Sequence, residues 1–330
     1  MQSPALTDTH KRQLNYLRVS ITDRCNLNCI YCRPAGSFNL LSHDDVLTYE
    51  ETLRIIRIGV ELGITKIRIT GGEPLVRKGV CGFLRKVADI PEISDISITS
   101  NGVFLKEHLP AIKAAGLNRL NISLDTLDRR KFKAITGRDA FPAVWESIMT
   151  ALDLGFSPVK VNAVAMNGIN DDELAALAAL SLDLPLHIRF IEFMPADKKT
   201  LSDDVQLFTP DIKRRVATVG ELVPVEETGR GATAERFRFP GAAGEVGFIS
   251  PVSKHFCRTC NRLRLTADGG LKPCLFSDIA LDLKTPLRLG ATDEMLADIF
   301  RQAVLKKPGY AREEADKTTT LTQIMSAIGG

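Results

Sequence analysis

Six of the seven cysteines in this 330-residue chain fall into two groups of three. Cys25, Cys29 and Cys32 close the stretch RVSITDRCNLNCIYC, spaced by three residues and then two. Cys257, Cys260 and Cys274 form the second group, spaced by two and then thirteen. A group of three thiols always leaves one over, so neither is a self-contained disulfide set. The first spacing lets one loop wrap a compact metal centre and offer it three thiolates. Iron–sulfur cubes are held by such thiolates, usually four of them. Three ligands leave one iron open, and an open position is where chemistry rather than structure is expected. Zinc is the alternative at both groups. It wants a fourth ligand, for which His43 is the only nearby histidine at the first group. At the second, His255 could serve, and zinc and cluster stand equally open there.

Cations inside strands are the second chemical signal. Arg262 and Arg264 alternate in RLRL and so point to one side. Arg18 and Arg68 sit in the first and second strand patterns, and Lys160 in a later one. A cation in an otherwise apolar sheet is costly unless something pairs with it, either an internal carboxylate or an anionic ligand.

The elements that must position these residues alternate regularly. The first strand pattern, Leu17, Val19 and Ile21 between polar residues, runs into the cysteine loop. Thr48 with Glu51 forms a capping box that opens a helix ending at Gly63. TKIRIT, DISIT, RLNISL, VKVNAVAM and HIRFIEF read as further strands, separated by helical patterns; Asp171 reads as the N-cap of the last of these helices. Six strand–helix alternations in the first 195 residues argue a parallel sheet wound in one direction. That is too few for a full eight-fold barrel, so an incomplete (βα)6 TIM-type barrel is expected. Ligands in such folds bind at the carboxyl ends of strands. The cysteine loop, GGEP, SNG, SLDT and EFMP all fall there. A doubly wound sheet with ordinary turns is the blander reading.

Domain boundaries follow: a polar, poorly ordered lead over 1–14, the barrel over 15–195, a C-terminal α+β extension over 196–318 and a tail over 319–330. The extension carries the second cysteine group and covers the open side. Asp268, Gly269 and Gly270 would turn a hairpin that returns Cys274 towards Cys257 and Cys260.

Composition fits a soluble globular protein and carries no mark of a nucleic-acid or membrane binder. Hydrophobic residues make up 44%, and 43 Lys and Arg against 40 Asp and Glu leave a net charge of +3. No apolar run approaches bilayer length, and the N-terminus lacks an apolar signal core. A cytoplasmic protein with reduced thiols is therefore expected.

These stretches together closely resemble the MoaA family of GTP 3′,8-cyclases, radical S-adenosylmethionine (SAM) enzymes that begin molybdenum cofactor biosynthesis. The resemblance spans about residue 15 to 330. It rests on TDRCNLNCIYC, RITGGEPLVR, SNG, NISLDTL, ITGR, KVNAVAMNGIN, RFIEFMP, SPVSKHFCRTCNRLRLTADG, PCLF and the terminal Gly329-Gly330. Arg33 departs from it, standing where a methionine commonly precedes the proline, and the loop after Pro195 is less family-like.

The resemblance implies two [4Fe–4S] clusters. Cys25, Cys29 and Cys32 would carry the one that binds SAM, and Cys257, Cys260 and Cys274 one that faces the substrate. Tyr31, Gly72, Ser123 and Met194 would contact SAM. Gly71 and Gly72 suit close backbone approach. Arg18, Arg68, Thr99, Lys160, Arg262 and Arg264 would bind GTP, with Lys66 and Arg189 as further members. Arg262, Arg264, Gly329 and Gly330 would assist catalysis, the tail reaching into the site. The implied reaction passes one electron to SAM and releases a 5′-deoxyadenosyl radical. That radical takes the C3′ hydrogen of GTP, and C3′ then bonds to C8 of guanine. A one-electron reductant such as flavodoxin or ferredoxin would supply the electron, and cyclic pyranopterin monophosphate synthase would receive the product; a homodimer is left open. Two other readings compete: a radical SAM enzyme that modifies a peptide, and a regulatory module with zinc at both cysteine groups.

Overall fold

The computed structural model describes residues 5–32, 40–194, 203–226 and 233–309. The first half alternates strand and helix: β1 (Tyr16–Ser20), α1 (Tyr49–Glu61), β2 (Lys66–Thr70), α2 (Val80–Ala88), β3 (Asp95–Ser100), α3 (Leu105–Ala114), β4 (Arg119–Ser123), α4 (Arg129–Thr136), α5 (Phe141–Asp153), β5 (Val159–Ala165), α6 (Leu174–Asp183) and β6 (Leu186–Glu192). The second half carries α7 (Thr209–Val216), β7 (Val223–Pro224), β8 (Glu235–Arg238), β9 (Glu245–Ile249), β10 (Arg262–Leu265), β11 (Gly270–Lys272), β12 (Leu281–Asp282), α8 (Lys284–Arg288) and α9 (Asp293–Leu305).

The strands form one sheet in the order β12-β11-β10-β1-β2-β3-β4-β5-β6-β9-β8-β7. Strands β1 to β6 are the expected parallel arc. The extension continues that arc at both edges, with β10 parallel to β1 and β9 parallel to β6. Antiparallel ribbons then finish each side. The hairpin at Asp268–Gly270 forms as expected, with Arg264 opposite Lys272.

Alternation divides the sheet's two faces by chemistry. Leu17, Val19, Ile67, Ile69, Ile98, Leu120, Ile122, Val161 and Ile188 are buried in the single large core. Their neighbours on the other face, Arg18, Arg68, Thr99, Ser123, Lys160 and Arg189, line a cavity. The strands are thus apolar outward and polar inward, the reverse of a barrel filled with its own apolar side chains.

The capping box opens α1 as expected: Thr48 Oγ1 accepts from the Glu51 N–H (3.1 Å), and Glu51 Oε2 from the Thr48 N–H (2.8 Å). Two expectations differ. Asp171 does not cap α6; its carboxylate accepts from the Gly168 N–H at 2.7 Å, tightening the loop before a helix that starts at Leu174. Residues 5–14 are built into the fold rather than loose, because Leu6 and Leu14 fall on one side of a small hairpin and are both buried. Among the described residues, no helix is long and apolar enough to cross a membrane.

Candidate active site

One cavity of about 660 Å³ gathers the residues singled out in the sequence. Both cysteine groups line it, as do Tyr31, Gly72, Ser123 and Met194, and as do Arg18, Lys66, Arg68, Thr99, Lys160, Arg189, Arg262 and Arg264. Gly329 and Gly330, named for catalysis, lie outside the described residues. His255 also borders the cavity, whereas His43 is exposed and is not part of its wall.

The loops at the strand ends hold the first cysteine group. Gly72 donates its N–H to Thr22 O at 2.7 Å, and Glu73 donates its N–H to Arg24 O at 2.8 Å. A Cβ on Gly72 would stand 2.3 Å from Arg24 O, so glycine is required by the cysteine loop packed against it. The Glu73 carboxylate is fully buried. It accepts from Ser100 Oγ (2.9 Å) and from the N–H groups of Asn101 (2.6 Å) and Leu75 (3.1 Å). Burial outweighs these bonds and pushes its pKa up to about 7. Asn101, in SNG, reaches on to Cys25 Sγ at 3.6 Å and Asn26 Oδ1 at 2.7 Å. The Leu27 N–H also points at Cys25 Sγ, at 3.4 Å. Donors aimed at a ligand sulfur are what an iron–sulfur thiolate uses.

Asp125, in SLDT, anchors the other side. It accepts from Tyr31 Oη at 2.7 Å and from the Val164 N–H at 2.9 Å, and burial raises it to about 6. Burial, followed by the charge of Asp125, holds the Cys29 thiol well above its usual range. The second group has the opposite surroundings. Burial there would raise the Cys260 thiol, but Lys307, Arg262 and Arg264 together bring it below its ordinary value. Among the described residues no three His, Cys, Asp or Glu side chains converge tightly enough for a single metal ion. What the structure shows is three thiols per group facing a shared space, with sulfur-directed donors at Cys25.

Charge is the cavity's most distinctive feature. Ten Lys and Arg side chains line it against three carboxylates, Asp95, Asp125 and Glu192. Arg264, Arg18 and Arg68 lie side by side in register on β10, β1 and β2. Like charges so placed repel unless an anion lies among them. Burial and then the neighbouring arginines depress Arg18 well below its usual value. Arg189 and Arg264 are each brought down to about 10, chiefly by burial. Lys160 is 7% exposed, and burial followed by Arg189, Arg119 and Arg68 pushes it down to about 6. Thr99 Oγ1, Asn162 Oδ1 and Arg262 Nε are buried, border the cavity and have no hydrogen-bond partner among the described residues. Such a surface fits a polyanion that also offers polar groups to bond.

Several residues that complete the site went unassigned in the sequence. Asn101 and Asp125 lie inside SNG and SLDT, motifs noted there without a role. Glu192, which closes β6, accepts from the N–H groups of Thr209 (2.8 Å), Val252 (3.0 Å) and Ser253 (2.9 Å) and from Ser253 Oγ. It thereby ties the segment leading to the second cysteine group onto the barrel. Arg119 and Arg236 are also in the wall, paired with Asp95 and Glu245 respectively.

Two family models match the chain, "Radical SAM superfamily" over residues 19–180 and "Molybdenum Cofactor Synthesis C" over 186–312. A protein of Moorella thermoacetica named GTP 3′,8-cyclase is 47% identical over 98% of this chain and all of that relative. One of the same name from Thermodesulfovibrio yellowstonii is 48% identical over 98% of this chain and all of its own length. Among solved structures, Streptococcus suis SuiB bound to its precursor peptide SuiA shares the fold at a TM-score of 0.62 and 14% identity. The match covers 94% of this chain and 69% of that one.

Proposed function

The chain belongs to the GTP 3′,8-cyclase family, and from that membership we propose that it carries out the family reaction, converting GTP to 3′,8-cyclo-7,8-dihydro-GTP in molybdenum cofactor biosynthesis. The observation that carries this reading is the single cavity in which two cysteine triads flank a cation-rich wall. The inward-facing stripe of Arg18, Arg68 and Arg264 suits the clustered charge of a triphosphate, whereas a peptide would need several adjacent carboxylates to match it.

Cys25, Cys29 and Cys32 would hold the cluster that binds SAM, and together cluster and SAM supply the radical that activates C3′. Tyr31, Gly72, Ser123 and Met194, which line the same cavity as the first cysteine group, are the SAM contacts in this reading. Cys257, Cys260 and Cys274 would hold a second cluster, supported by the cations that lower the Cys260 thiol. The chain's own residues do the rest. Arg18, Arg68, Lys160, Arg189, Arg262 and Arg264, with Lys66, neutralise the triphosphate and fix where the ribose lies. Thr99 Oγ1 and Asn162 Oδ1 offer polar contacts to the bound nucleotide. The apolar outer face of the sheet and its helices keep the cavity floor closed to bulk water, which protects a radical from side reactions. Flavodoxin or ferredoxin as electron donor, and cyclic pyranopterin monophosphate synthase as recipient, complete the reading.

The test is anaerobic incubation of the reconstituted protein with SAM, dithionite and GTP. The reading expects 5′-deoxyadenosine and the cyclised nucleotide in the product mixture. SAM cleavage with GTP recovered unchanged, in the presence of both clusters, would overturn it.

A further inference from the structure

The two ends of the described chain meet behind the second cysteine group. Asp8 and Arg12 form a buried pair at 2.5 Å, and Asp8 Oδ1 also accepts from the N–H groups of His10 (2.9 Å) and Arg12 (2.8 Å). This leaves the guanidinium fork of Arg12 directed elsewhere. It donates to the carbonyl of Cys257 at 2.6 Å and to that of Pro308 at 2.7 Å. From the other end, Lys307 is 3% exposed. Its Nζ donates to the carbonyls of Arg262 and Pro273, both at 2.7 Å. Arg262 follows Cys260 by two residues, and Pro273 immediately precedes Cys274. The His10 ring closes over Gly309, where a Cβ would lie 2.6 Å from His10 Cε1. The backbone within two residues of every member of the triad is therefore held by one of two buried cations, one from each end of the described chain.

We infer that Arg12 and Lys307 are positioning residues for Cys257, Cys260 and Cys274, a bracket that holds three separate backbone segments at the spacing a cluster needs. The inference rests on the second-cluster reading. Burying two long cationic side chains is expensive unless their donors are used. Here they are spent on the carbonyls of Cys257, Pro308, Arg262 and Pro273, next to three thiols of which none lies within a strand. Cys257 lies in a short turn and Cys274 in a loop, so neither is fixed by β10 or β11.

The test uses the full chain, reconstituted anaerobically, as Lys307→Met and as the double variant Asp8→Asn/Arg12→Met, which leaves no unpaired buried carboxylate. Two cubes correspond to about eight irons per chain. Wild-type protein holding about four irons would remove the second cluster itself, leaving the bracket without an object. With about eight in the wild type, each variant is expected to fall towards about four. Each should keep SAM cleavage in the absence of GTP and lose the electron paramagnetic resonance signal that responds to added GTP. Full iron and an unchanged GTP-responsive signal in both variants would overturn the inference. So would loss of both clusters in step, or failure of both variants to fold, since either outcome marks general stabilisation rather than positioning of one triad.

Discussion

Lys160 shows most clearly what an inward-facing cation costs and what it awaits. Its neighbours are Arg189, Arg119 and Arg68, and burial with their repulsion brings it down to about 6. At neutral pH it is therefore largely uncharged until an anion arrives. A triphosphate should draw a proton onto it, so calorimetry in two buffers of different ionisation enthalpy at pH 7.5 should show proton uptake on GTP binding. Lys160→Met should abolish most of that uptake; an undiminished uptake would place the protonation elsewhere. The same shift governs stability. The unfolded lysine keeps its proton up to its ordinary range, while the folded one releases it near pH 6. The unfolded chain thus binds more protons between those limits, and this group makes stability rise with pH across that window and fall as pH drops to 6. Arg262 and Arg264 make a second case. Both face the cavity while Leu263 between them is fully buried. Replacing both with Ala should weaken GTP binding by roughly 2–4 kcal/mol, about 30- to 1000-fold in Kd, if each gives one charged hydrogen bond. All six thiols and Lys307 remain, so both triads should still load iron, the second more weakly because two of the three cations that lower the Cys260 thiol are gone. Equilibrium dialysis under argon decides it, and an unaltered Kd would assign these arginines to packing.

At the scale of elements, the strand ends act as one scaffold for the first cysteine loop. Gly72 presses its backbone against Arg24, and Asn101 and Asp125 reach the loop from the ends of β3 and β4. Gly72→Ala forces a Cβ to within 2.3 Å of a carbonyl oxygen, so loop or strand end must shift. A cost of about 1–3 kcal/mol is typical of such overpacking. The expected outcome is a lower melting temperature with less iron at the first triad and weaker SAM binding; a full first cluster and normal SAM affinity would show that the contact can relax. Much of this scaffold was legible in the sequence. Period-two strands and helical periods alternated cleanly, and every motif loop fell at a strand's carboxyl end. The edges were not legible. Nothing local in ERFR, EVGFI or RLRL says that β9 joins β6 while β10 joins β1, since those pairings depend on contacts distant in the sequence, such as Phe190 with Phe248 and Arg18 with Arg264. Asp171 misled because an Asp before a helical pattern caps a turn as readily as a helix. Arg12 and Lys307 gave no signal of their link to the second triad, because their contacts to it are with backbone carbonyls, which no side-chain pattern marks.

The whole molecule is a curled sheet whose two edges both come from the C-terminal half, so that one cavity receives a cysteine triad from each half of the chain. The triads have opposite electrostatic surroundings, a carboxylate beside Cys29 and cations beside Cys260. Different tasks follow. Cys25→Ala should abolish SAM cleavage, whereas Cys260→Ala should keep some uncoupled 5′-deoxyadenosine formation and lose the cyclised nucleotide. Equal loss of SAM cleavage in both would deny the division of labour. The central claim is that this cavity holds GTP with C3′ presented to the radical, and GTP carrying deuterium at C3′ tests it most directly. Reconstituted wild-type protein, given SAM, dithionite and that substrate, is expected to form 5′-deoxyadenosine carrying one deuterium, together with cyclised nucleotide that has lost it. Cyclised nucleotide that keeps its deuterium, or 5′-deoxyadenosine that never acquires any, would contradict the account.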